Sequence, residues 1–112
     1  MMMTNNALVA LGLAGALLIA PAAGAADMEA ARAKVKEVCA ACHGQDGNST
    51  DPANPRLAGQ YADYLAKALR DYKSGVRKNA IMAAFATTLT PKDIENLSAY
   101  FAAQAPVLAT RY

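Results

Sequence analysis

The stretch Cys39-Ala40-Ala41-Cys42-His43 decides how this chain is read. It has the form C-x-x-C-H, the attachment pattern of a c-type haem. Two thiols three positions apart lie on one helical turn, so each can add to one vinyl group of the same porphyrin and form a thioether bond. The next residue, His43, then sits under the iron and can ligate it through an imidazole nitrogen. Three other chemistries use similar residues. A thioredoxin-like redox pair wants a βαβ surround, and no strand pattern flanks the motif. A structural zinc site wants four ligands, and the chain has only two Cys and one His. A disulfide between the two thiols would leave the adjacent His43, the only histidine, without a role.

Outward from the motif the pattern is helical. Over Asp27 to Ala41, Ala31, Val35 and Val38 recur at helical spacing, and Gly44 ends the helix. Gln45 to Pro55 is a loop marked by Asp46-Gly47-Asn48-Ser49, Asp51-Pro52 and Asn54-Pro55. Pro55 follows His43 by 12 residues. Its carbonyl is placed to accept the other ring N–H of His43, fixing the tautomer and raising the basicity of the ring. The plainer alternative is an ordinary loop proline. Gly59 to Tyr72 is a second amphipathic helix, with Tyr61, Tyr64, Leu65, Ala68, Leu69 and Tyr72 on one stripe and Gly75 closing the segment. Val76 to Leu89 is weakly periodic and contains Met82. Thr90-Pro91-Lys92-Asp93 is a helix start, with Thr as N-cap, Pro at the first helical position and an acid placed for a capping box. The last helix runs to about Ala103 with Ile94, Leu97, Tyr100 and Phe101 on its apolar face, and Pro106 stops it.

The chain has 112 residues, enough for one small domain, and its net charge of +2 is too small to argue for nucleic acid. Ala7 to Ala20 is an unbroken apolar run, broken by Pro21, and Ala23-Gly24-Ala25 fits a small-x-small cleavage site. Residues 1–26 therefore read as a secretory signal peptide cut near Ala25 or Ala26, although Met1 to Asn6 holds no Lys or Arg. An uncleaved membrane anchor is the competing reading, because Ala7 to Ala26 is uncharged and long enough to span. The remaining domain, 27–112, is short and buries a modest core. A covalently held porphyrin would supply much of its apolar interior.

These segments resemble the class I c-type cytochromes, the small soluble bacterial ones and the single halves of their dihaem relatives. The resemblance rests on Cys39-Ala40-Ala41-Cys42-His43-Gly44, on Pro55-Arg56-Leu57-Ala58-Gly59-Gln60, on Met82, and on Thr90 through Phe101. It implies an all-α cytochrome c fold of three to four helices around one covalently bound haem c, the first and last helices crossing. It implies the Pro55 carbonyl role and a periplasmic location. Val35 falls where many relatives carry a small residue at the crossing.

The second axial ligand decides between an electron carrier and a haem open to exogenous molecules. Met28 lies on the helix leading into the motif, 15 residues from His43, which places it ~22 Å away at helical rise. Met82 lies 39 residues beyond His43 and can reach the opposite face. As a ligand it would raise the potential, since a neutral thioether favours ferrous iron. Its alternative is a flexible core filler. The expected function is a periplasmic monomeric carrier with a single His43/Met82-ligated haem, an electron-transfer protein and not an enzyme. Its partners are donor and acceptor redox proteins, a membrane-bound oxidase or reductase among them. Two rivals remain: a haem-bearing subunit of a larger oxidoreductase, for example one acting on sulfur compounds, and a five-coordinate gas sensor or peroxidase. Charge is uneven along the chain. Arg56 to Lys78 carries six cations against two acids, a net of +4, whereas Asp27 to Pro55 carries a net of −2. A basic patch of this kind steers association with an acidic partner, unless it is only a solvated helix face.

Overall fold

Asp27 opens the first helix. Its backbone is extended and its carboxylate accepts from the Ala30 N–H at 2.9 Å, satisfying one of the unpaired donors of the first turn. The computed structural model describes residues 24–108 together with Gly15. The expected leader, 1–26, lies outside the described residues except for Gly15 and residues 24–26. All regular secondary structure among the described residues is helical: α1 (Met28–Lys34), a π-helical turn (Val35–Cys39), α2 (Ala40–His43), α3 (Ala62–Ser74), α4 (Ala80–Ala86) and α5 (Pro91–Ala102). This is the all-α architecture expected. None of these helices is long and apolar enough to cross a membrane.

Helices α1 and α2 form one continuous rod with an extra residue in the middle turn. There the Ala40 N–H donates to the Val35 carbonyl, five residues back, in place of the usual four. The insertion rotates everything C-terminal to it, including the Cys39–His43 motif, relative to the face that packs the core. Ala31 and Val35 are fully buried in that core with Ile94, Leu97, Tyr100 and Phe101 of α5. Val35 is thus accommodated although it is larger than a small crossing residue. Helix α5 packs against both α1 and α3, and burying its four large apolar side chains is worth about 1.5–3 kcal/mol each.

The start of α5 is the capping box expected from its sequence. The Thr90 hydroxyl accepts from the Asp93 N–H, and the Asp93 carboxylate accepts from the Thr90 N–H at 2.8 Å. Those bonds, the Thr90 backbone N–H first, hold the Asp93 carboxyl below its ordinary value. The stability this adds is complete above the ordinary carboxyl pKa and is lost as pH falls through the depressed one. Asp93→Asn is therefore expected to flatten the acid limb of a stability-versus-pH curve. Thr90→Ala should cost about 1 kcal/mol at neutral pH in chemical denaturation.

The start of α3 differs from expectation, whereas the end of α5 falls within one residue of it. Helix α3 begins at Ala62 rather than Gly59, because Gly59 takes φ +72° and Tyr61 is an extended N-cap. The Tyr61 and Tyr64 part of the expected apolar stripe is corrected: they are 82% and 51% exposed. Tyr61 stands outside the helix, and Tyr64 is rotated about 100° from Leu65; its hydroxyl accepts weakly from Arg77, at 3.5 Å. Helix α5 ends at Ala102, four residues before Pro106. Within the weakly periodic Val76–Leu89 segment, Asn79 caps α4 by accepting from the Met82 N–H at 2.9 Å.

The loop after the motif is pinned at Gly47. Its carbonyl accepts from the Leu57 and Ala58 N–H groups at 2.8 and 3.2 Å. Gly47 has φ +75°, and a Cβ there would lie 2.8 Å from Phe101 Cδ1 and 2.9 Å from the Ala58 nitrogen. Strain and overlap act together, so Gly47→Ala should destabilise by about 2–4 kcal/mol, read from the denaturation midpoint.

Candidate functional site

A cleft runs between the motif helix, the loop, α3, α4 and α5. Its empty space is about 1120 Å³, including the open solvent at its mouth. Leu57, Leu65, Leu69, Leu89, Leu97 and Phe101 contribute to an apolar lining. Cys39, Cys42, His43, Pro55 and Met82 all line it as well. Met28 does not; it lies at the far end of the rod, 40% exposed.

His43 ends α2 and is buried. Gly44, at φ +82°, turns the chain away immediately after it. The His43 Nδ1 lies 2.8 Å from the Pro55 carbonyl oxygen. That oxygen can only accept, so Nδ1 carries the proton of this bond and Nε2 is the nitrogen placed to bind a metal. Among the described residues, Nε2 makes no hydrogen bond.

The two thiols are unpaired, with Cys42 exposed and Cys39 half-buried. Burial pushes the Cys39 thiol up to about 11, against a weaker opposing pull from Lys34. Burial therefore keeps Cys39 in its thiol form at neutral pH. Among the described residues no three His, Cys, Asp or Glu side chains are grouped to hold a metal ion, which leaves the zinc alternative without a ligand set. Met82, half-buried on α4, reaches the cleft from a different element than His43, beside Asn79, Ile81 and Phe85.

Two buried polar side chains were not visible in the periodicity, and only the first of them faces the cleft. Ser98, 2% exposed, has a hydroxyl without a partner, facing the cleft. Asn96, also buried, accepts from the Asp27 N–H at 2.8 Å and ties the start of the domain to α5. A flat apolar macrocycle fits what remains: a wide greasy slot, an imidazole, a thioether, and two thiols at its edge.

The family described as cytochrome c oxidase, cbb3-type, subunit III, matches residues 26–101. The chain is a class I c-type cytochrome. Cytochrome c4 of Pseudomonas aeruginosa is 46% identical over 97 residues, covering 87% of this chain and 45% of that protein. The crystal structure of reduced recombinant cytochrome c4 from Pseudomonas stutzeri superposes with a TM-score of 0.69 at 42% identity, covering 75% of this chain and 48% of that one. The thiosulfate dehydrogenase (TsdBA) structure from Marichromatium purpuratum gives a TM-score of 0.67 at 35% identity, over 76% of this chain but only 20% of the other. This cytochrome thus spans about half the length of the cytochrome c4 proteins it matches.

Proposed function

We propose that this cytochrome carries electrons with one haem c, attached through Cys39 and Cys42 and ligated axially by His43 and Met82. The observation that supports this reading best is the convergence of all four side chains on one apolar cleft, with His43 held through Nδ1 by Pro55. A haem bound there supplies reversible one-electron exchange between ferrous and ferric iron. The chain's own residues supply the rest. The thiols fix the macrocycle, Pro55 sets the basicity of the imidazole, and the thioether of Met82 favours the ferrous state. The apolar walls exclude water. Were His43 and Met82 both to hold the iron, no coordination position would remain for a substrate, which fits a carrier rather than an enzyme.

The leader, 1–26, exports the chain to the periplasm and is removed near Ala25 or Ala26. The alanine-rich stretch and the Ala23-Gly24-Ala25 site support this. There the cytochrome exchanges electrons with redox proteins as a free monomer. A second reading, a haem domain within a larger oxidoreductase, is favoured by the likeness to part of a thiosulfate dehydrogenase. Purification from the native source separates the two: a lone small species supports the carrier, and a stable larger chain that follows it supports the subunit.

Acidic acetone tests the attachment. The haem should stay with the polypeptide, whereas a merely ligated haem leaves it. The basic stretch Arg56–Lys78 is expected to steer association. On-rates with an acidic redox partner should fall steadily as ionic strength rises through 0.01 to about 0.15 M. A flat dependence would remove the steering role and leave the carrier role intact.

A further inference from the structure

The Pro55 carbonyl belongs to the Pro55–Arg56 peptide, and a peptide is planar, so whatever holds Arg56 holds the oxygen that touches His43. The proline ring fixes one neighbouring torsion. Among the described residues the Arg56 N–H makes no hydrogen bond, so the plane is not secured by its own donor. The Leu57 N–H bond to Gly47 anchors the backbone one residue on, and the Arg56 side chain adds a second hold. Arg56 Nε donates to the Ser49 carbonyl at 3.0 Å, and Nη1 donates to the Val107 carbonyl. The guanidinium thus bridges the loop that leaves the motif and the segment that follows α5.

That segment is itself seated. Asn48 Nδ2 donates to the Ala105 carbonyl at 3.0 Å, and its Oδ1 accepts from the Val107 N–H at 2.7 Å. Pro106 lies against Gly59, where a Cβ would come within 3.0 Å of the proline ring. Residues 105–107 therefore form a strap across the loop, and Arg56 is the side chain that connects the strap to the His43 acceptor.

We propose that Arg56 is a positioning residue: clamped between Ser49 and Val107, it sets the Pro55 carbonyl against His43 and so tunes the axial imidazole. The proposal rests on the haem reading above. A well-placed acceptor at Nδ1 makes the other nitrogen a stronger donor and favours ferric iron. Loosening the carbonyl should raise the potential. Losing the thioether of Met82 would lower it, and so would deleting a cation, so the sign separates this effect from both.

The test uses holoprotein of the parent, Arg56→Lys, Arg56→Ala and Asn48→Ala. Lysine keeps the charge but lacks the planar fork that reaches two carbonyls. The readouts are the midpoint potential and the exchange rate of the His43 Nδ1 proton in the reduced protein. Arg56→Lys should raise the potential while the spectrum stays low-spin. Exchange should quicken about tenfold in both Arg56 variants, the scale of one hydrogen bond. Asn48→Ala, which frees the strap but keeps Arg56, should move both readouts in the same direction by less. If the Arg56 variants lose thermal stability but keep the parent's potential and exchange rate, Arg56 is a structural clamp only and the proposal falls. Should they fail to accumulate as holoprotein, Asn48→Ala decides: parent-like values overturn the proposal, and faster exchange supports it. A parent without haem overturns the underlying reading, and this one with it.

Discussion

Met82→Ala is expected to open the iron on the α4 side and lower its potential. The parent has a soft, neutral thioether available at the cleft, on a helix whose first turn is pinned by the Asn79 cap. Removing the sulfur removes the preference for ferrous iron, so the midpoint should drop. Cyanide, or water in the ferric state, should bind where the parent resists both. Stability should fall as well, because a His43-to-Met82 crosslink through the iron closes a loop of 39 residues and restrains the unfolded chain. Met28→Ala is the control: it lies outside the cleft and should leave potential and ligand binding unchanged. If cyanide binds the parent and Met82→Ala equally well, Met82 is only packing, and a five-coordinate haem becomes the better reading.

The second large effect is expected at the thiols. Cys42→Ala leaves the half-buried Cys39 thiol, pushed up to about 11, as the only attachment point. Holoprotein should fall to a small fraction of parent yield, and Cys39→Ala,Cys42→Ala together should abolish covalent haem. The cleft would then lose the group that fills it. Leaving a slot of this size empty forfeits the contacts of its apolar lining, so the double variant should unfold at markedly lower temperature than holoprotein. Acidic acetone extraction with intact-mass measurement reads the first effect, and circular dichroism during heating reads the second. Full covalent haem in Cys42→Ala would show that one thioether is enough.

The parts of this molecule written in local sequence were readable without a structure. Cys39-Ala40-Ala41-Cys42-His43 marks the family by its spacing. Thr90-Pro91-Lys92-Asp93 names its cap, and Gly75 sits in the left-handed conformation that closes α3. The buried face of α5 followed from helical periodicity. Helix α4 was harder, since Ala80–Ala86 is apolar on every side and has no period to detect; its one signal was Asn79, a good N-cap before an apolar run. Tyr61 and Tyr64 misled because tyrosine suits a core and a wet surface equally well, and the true start of α3 lay after Tyr61. Other features depend on partners far along the chain. Asn96 is buried because it accepts from Asp27, 69 residues away. Arg56 reaches Val107, 51 residues on. No local pattern encodes such pairs, and the inserted residue of the π-helical turn leaves no trace in side-chain type.

A redox-poised absorption spectrum of the purified mature cytochrome tests the electron-carrier role most directly. One reversible one-electron transition is expected, with a low-spin spectrum at both ends and, in the ferric state, the weak far-red band that reports sulfur bound to iron. A high-spin ferric spectrum without that band, or a protein with no haem signal after export, would contradict that role.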